Sequence, residues 1–101
     1  MVDVEIHQYR GVHMRAPSVE HVANLINAKQ YDHVANILAQ DVADAYQRTQ
    51  NKPSMRWSTS LSCKSINKRL RSTAIGDVFV IYGTRYLATA YGFITMEEVT
   101  A

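Results

Sequence analysis

Few side chains in this 101-residue chain are chemically equipped, and most of them are scattered. Histidines stand at positions 7, 13, 21 and 33, and a lone cysteine at 63. A local zinc site uses close spacings such as His-x3-His or a cysteine pair, and neither occurs. The remaining combination is His7 with His13 and an acid, Asp3 or Glu5. Histidines of small domains are more often structural, exposed or half-buried, so no metal and no cofactor is expected. Cys63 lies in Ser60-Leu61-Ser62-Cys63-Lys64-Ser65, where Lys64 can lower the thiol pKa slightly, but no glycine elbow or oxyanion loop surrounds it, so an incidental thiol is the favoured reading. Gly11, Gly76, Gly83 and Gly92 are too dispersed to cradle a phosphate. Glu97 and Glu98, the adjacent acids, follow the last strand-like segment. Nothing here assembles a catalytic constellation, and the expectation is a protein that is not an enzyme.

Two groupings stand out. The first is a polar corner, Arg71-Ser72-Thr73-Ala74-Ile75-Gly76-Asp77, read in two ways. Either Arg71 and Asp77 orient a ligand, or Ser72, Thr73 and Asp77 satisfy turn backbone while Gly76 supplies an unusual backbone angle; the structural reading is favoured. The second grouping is basic. The net charge is only +2, yet no acid occurs between Asp44 and Asp77. That interval holds Arg48, Lys52, Arg56, Lys64, Lys68, Arg69 and Arg71, seven of the eleven bases. Arg56, Trp57, Lys64, Lys68, Arg69 and Arg71 are the expected partner-binding residues. Bases near an aromatic platform suit nucleic acid, and an acidic protein surface is served equally well. The competing reading is a solvated basic loop with Trp57 in the core.

The elements that must position these residues follow from periodicity. Val2, Val4 and Ile6 alternate with Asp3, Glu5 and His7, predicting a strand over 2–9. Ser18 caps a helix over 18–28 whose apolar stripe is Val19, Val22, Ala23 and Ile26. Residues 31–49 fit either one long helix or a strand over 31–39 followed by a helix over 42–49 capped by Asp41. The Ser/Thr-rich stretch 54–68 reads as a long loop. Val78, Phe79, Val80 and Ile81 are apolar on both faces, as in a central strand with Val78, Val80 and Ile81 buried. Gly83-Thr84 suits a two-residue hairpin turn, Tyr86 to Tyr91 the return strand, and Gly92-Phe93 a bulge or strand end. The sum is a single domain over 1–101 of the α+β class: a small antiparallel sheet of about four strands with two helices packed on one face.

The block Leu70-Arg71-Ser72-Thr73-Ala74-Ile75-Gly76-Asp77-Val78, followed by Tyr86-Leu87 and Gly92-Phe93, resembles the C-terminal hairpin of small uncharacterised bacteriophage and plasmid proteins. It is similar also to the YodL-like domain of mobile elements. Upstream, His33-Val34-Ala35, Ala45-Tyr46, Thr49-Gln50-Asn51 and Trp57 match the strand, helix, polar triplet and tryptophan of those proteins. The resemblance covers residues 31–96 and implies a strand over 31–39. It also implies a phage or plasmid gene product acting in a bacterial cell, and it brings no assigned chemistry.

The composition agrees with an intracellular setting. A single thiol excludes an intrachain disulfide, no apolar run approaches a membrane span, and the acidic N-terminus differs from a signal peptide. The expected protein is cytoplasmic in the bacterial host, off the membrane, and compatible with a homo-oligomer. It binds and modulates a host protein; the alternative is a small nucleic-acid-binding protein that uses segment 48–71.

Overall fold

The computed structural model describes residues 1–11, 14–60, 63–65 and 70–96. The alternating N-terminus forms β1, Val2–Tyr9, whose Val4 and Ile6 are fully buried. The helix α1 is Val19–Asn27; the Ser18 hydroxyl accepts the His21 amide at 3.1 Å and satisfies an end N–H. The ambiguous segment resolves into strand β2, Tyr31–Ala39, and helix α2, Val42–Arg48. Asp41 caps α2 through its carboxylate to the Asp44 amide at 2.8 Å. Lys29, in the left-handed region at φ 59°, turns the chain from α1 into β2. A short 3₁₀ turn, Trp57–Thr59, precedes β3, Cys63–Ser65. The C-terminal part is β4, Val78–Ile81, β5, Thr84–Thr89, and β6, Gly92–Met96.

These strands form one sheet of order β3-β2-β1-β4-β5-β6, antiparallel throughout. The α+β class and antiparallel sheet agree with expectation, and the sheet has six strands rather than about four. β3 is only three residues long and is held by pairing with β2, so no local period marks it. β6 follows a turn at Ala90-Tyr91, and Gly92, at φ 126°, opens it rather than ending β5. The β4–β5 turn is Tyr82-Gly83, one residue before Gly83-Thr84. Both central residues have positive φ, 49° and 80°, the pattern of a type I′ turn.

The helices differ from expectation in another way: they cover opposite faces. Neighbouring residues of a strand point to opposite sides, and Val78 and Phe79 belong to different apolar clusters. Phe79, Val4, Ile6, Ile37 and Trp57 pack with Ala45 of α2 on one face. Val78, Leu87 and Met96 pack with Val22 of α1 on the other. In β4, Val78 and Phe79 are the fully buried pair, while Val80 and Ile81 are partly buried. Full burial of Phe79 contributes about 1.5–3 kcal/mol. The second cluster draws on β4, β5, β6 and Tyr31. Asp3, Glu5, His7, His33 and Asn36, on β1 and β2, are exposed or half-buried.

Candidate functional site

Three polar groups were singled out by sequence, and the structure treats them differently. In the corner, Asp77 is 1% exposed and its carboxylate is saturated. Its Oδ1 accepts the Tyr9 amide at 3.0 Å and Arg71 Nη2 at 2.8 Å. Its Oδ2 accepts the Ala74 amide at 2.8 Å and Arg71 Nη1 at 2.7 Å. This bidentate pair holds the Arg71 guanidinium in its charged form more firmly than usual, chiefly through the hydrogen bonds to Asp77. Arg71 also donates to the backbone oxygens of Tyr9 and Ser72. Gly76 is required next to it: its φ is +96°, and an added Cβ would lie 2.7 Å from Met14 Sδ. The Tyr31 hydroxyl donates to the Gly76 carbonyl; burial, then the Asp77 charge, push that phenol above its ordinary range.

The triplet Thr49-Gln50-Asn51 clamps the same corner. The Thr49 and Thr73 hydroxyls meet at 2.6 Å, and the Gln50 amide donates to Thr73 Oγ1 at 2.9 Å. Asn51 offers its backbone N–H to Ser72 Oγ at 2.7 Å and its side-chain amide to the Leu70 carbonyl at 2.9 Å. Its Oδ1 accepts the Trp57 amide at 3.0 Å. The Trp57 indole donates to the Arg71 carbonyl at 2.8 Å, and that oxygen also accepts the buried Gln8 amide at 3.0 Å. Ser72, Thr73 and Asp77 thus spend their side chains on partners within the fold. Trp57, expected among the partner-binding residues, is 1% exposed and lies in the core, where it offers no stacking face. Aromatic character marked the residue; its burial was decided by the indole N–H partner 14 positions away.

The basic interval is thinner than its sequence suggests. Arg71 is committed to Asp77, and Arg48 pairs with Asp44, one turn earlier on α2, at 2.8 Å. Asp44 also accepts the Gln40 amide, and these bonds hold its carboxyl below the usual range. Lys52, Arg56 and Lys64 remain exposed, with no acid paired to them among the described residues. Lys68 and Arg69 lie outside the described residues. Lys52 and Arg56 flank a tight tip in which Lys52 and Met55 exchange backbone hydrogen bonds of 3.0 and 3.1 Å. Met55, at the tip, is 51% exposed. The base of the tip is gripped on one side by Asn51 and on the other by Trp57.

The third group is one the sequence paired incorrectly. A register shift in β1/β2 sets His7 directly across from His33. The two rings stack with centroids 4.6 Å apart, and His7 Nε2 donates to Glu5 Oε1 at 3.0 Å. Burial, together with the nearby His33 and Arg85, lowers the His7 pKa against the opposing pull of Glu5. His13, the partner considered from sequence, lies outside the described residues. The signal that identifies His33 is the antiparallel pairing of two alternating strands, which spacing along one segment does not show. Cys63 is buried in β3.

No protein-family model, curated protein or solved structure matches this chain. None of the helices among the described residues is long and apolar enough to cross a membrane.

Proposed function

We propose that the chain is a small phage- or plasmid-encoded accessory protein, non-enzymatic, that acts in the bacterial cytoplasm by binding and modulating a host protein. The observation that carries this reading is the tip Lys52-Pro53-Ser54-Met55-Arg56. Two cations with no acid paired to them among the described residues flank an exposed methionine, an arrangement suited to an acidic surface with an apolar notch. Charged rims steer association, and a flexible thioether fills an irregular pocket. The tip is mounted on Asn51 and Trp57, both fastened to the polar corner, so little ordering remains to be done on binding. Lys64 on β3 is a further exposed cation. The resemblance of residues 31–96 to mobile-element proteins supports the origin.

Nucleic acid is the second reading. The burial of Trp57 removes the stacking platform that favoured it, while the cations themselves suit phosphates as well. Capture from a nuclease-treated bacterial lysate tests the choice. The expected result is a protein retained by the wild type and lost with Lys52→Glu/Arg56→Glu. Retention that vanishes on nuclease treatment, with a steep salt-dependent affinity for DNA or heparin, would replace the host-protein reading with the nucleic-acid one.

A further inference from the structure

We propose that Glu5, His7 and His33 form a divalent transition-metal site of the zinc type on the half of the sheet that α1 leaves uncovered. One ligand atom from each of these side chains lies within 4.8 Å of the others. Zinc binds imidazole nitrogen and carboxylate oxygen at about 2.0–2.2 Å, so the ligand atoms of a tetrahedral ion stand roughly 3.3 Å apart. The Glu5 oxygen and His7 Nε2 are already separated by 3.0 Å. The His33 ring needs only a side-chain rotation about its own bonds, and its exposure leaves room for that. Two imidazoles and a carboxylate are a donor set for Zn²⁺, Co²⁺ or Ni²⁺ rather than for the hard cations Mg²⁺ and Ca²⁺.

A second observation points the same way. The Asn36 amide donates to Asp3 Oδ2 at 3.0 Å, which fixes its Oδ1 as the acceptor facing His33. His33 Nε2 must then carry the proton, and Nδ1 is left as the lone-pair nitrogen. A histidine whose far nitrogen is fixed by a carboxylate-linked hydrogen-bond chain is the arrangement that orients ligating imidazoles in metal centres. Asp3 and Glu5 offset the positive charge that Arg85 and Lys64 bring to the same face. Three protein ligands leave a fourth position for water or for a donor atom of a partner, and an open recess of about 340 Å³ lined by His33, Asn36, Lys64 and Ser65 adjoins it. When Nε2 of His7 takes the metal, its proton moves to Nδ1 or to solvent, and the Glu5 oxygen exchanges that N–H for the cation.

The test is calorimetric titration of the untagged full-length protein with Zn²⁺, with Co²⁺ absorption as a report of coordination. One equivalent is expected to bind, the Co²⁺ complex to show the visible bands of a tetrahedral N/O site, and the melting temperature to rise. His33→Gln alters an exposed residue and should melt like the wild type in the absence of metal, yet bind at least tenfold more weakly. Asn36→Ala, which removes only the orienting chain, should weaken binding by about 10-fold. His7→Gln keeps a donor to Glu5 and should also lose the site. Zinc bound equally by the wild type and His33→Gln is held elsewhere on the chain and overturns the proposal, as does failure of the wild type to bind any of the three metals.

Discussion

The polar corner at 70–77 and the basic tip at 52–56 are joined by Asn51 and Trp57, yet they are opposites. In the corner, the side chains of Asp77, Thr73 and Ser72 each meet a partner from another part of the chain, the Tyr9 amide, the Thr49 hydroxyl and the Asn51 amide. No buried side-chain nitrogen or oxygen among the described residues lacks a hydrogen bond. At the tip, two cations and a methionine face solvent, and no acid among the described residues pairs with them. The richest motif in the sequence is therefore fold machinery, and the sparse, ordinary-looking stretch beside it presents the exposed charge on which the proposed binding rests. Saturation inside makes the corner rigid; unsatisfied charge outside makes the tip available.

The strongest way to break this comparison is to remove the carboxylate. Asp77→Ala orphans the Tyr9 and Ala74 amides and leaves Arg71 without its counter-ion. Each amide left unmet costs about 1–3 kcal/mol, whereas the half-exposed Arg71 is solvated without its partner and adds little; the loss is read as a fall in the urea midpoint. Whatever remains folded at low temperature should bind the partner normally. Wild-type stability with lost binding would make the corner a ligand site instead. A smaller effect is expected from Trp57→Phe, which keeps the ring in the core and deletes the bond to the Arg71 carbonyl. That carbonyl retains Gln8, so the loss should be about 1–2 kcal/mol, accompanied by weaker partner binding, because the tip loses one of its two anchors. Destabilisation with unchanged affinity would show that the tip needs no such support.

Much of this was legible in the sequence where period and capping agree: β1, α1 with Ser18, α2 with Asp41, and β4. The strand identity of 31–39 required the resemblance, since Val34, Leu38 and Val42 fit a helix equally well. β3 and β6 escaped because an edge strand is defined by its neighbour: Cys63-Lys64-Ser65 has no alternation until β2 pairs with it. The placement of helices on opposite faces was likewise invisible, because both stripes are apolar and nothing local says which side of the sheet each will meet. The sites failed for two reasons. Trp57 finds its hydrogen-bond partner at Arg71, Arg48 and Arg71 find acids at the borders of their interval, and His7 finds His33. The Trp57 and His7 contacts cross the fold and linear spacing does not encode them; the two ion pairs are local, Arg48–Asp44 at i,i+4 on α2, and are missed when only the acid-free interior of the interval is counted.

The half-covered sheet face sharpens the comparison by titration. Burial chiefly, with smaller pushes from the neighbouring His33 and Arg85, lowers the His7 pKa in the folded protein; Glu5 opposes this. A histidine whose pKa is lowered by folding binds fewer protons than its unfolded counterpart, so stability declines as the pH falls below its ordinary value of 6.5. In chelator-treated protein the urea midpoint should therefore drop from pH 7.5 to pH 5.5, roughly the span over which a free imidazole titrates. His7→Gln should flatten that part of the profile. An identical slope in the variant would assign the loss to other groups.

The smallest effect on stability, and the most telling for function, is expected at the tip. Lys52→Glu with Arg56→Glu reverses two exposed cations that touch no acid among the described residues, so unfolding free energy should stay within about 0.5 kcal/mol of the wild type. Against an acidic host surface the reversal acts at a distance. Association should slow far more than dissociation quickens, because rim charges steer encounter rather than hold the docked complex. The defect should shrink as salt shortens the Debye length below about 8 Å. Met55→Ser offers the complementary reading: it removes the apolar anchor without touching charge, and it should raise the dissociation rate with little salt dependence. If both variants associate and dissociate like the wild type, the saturated corner supports nothing at 52–56. The uncovered face of β1 and β2 is then the surface at which binding should be sought.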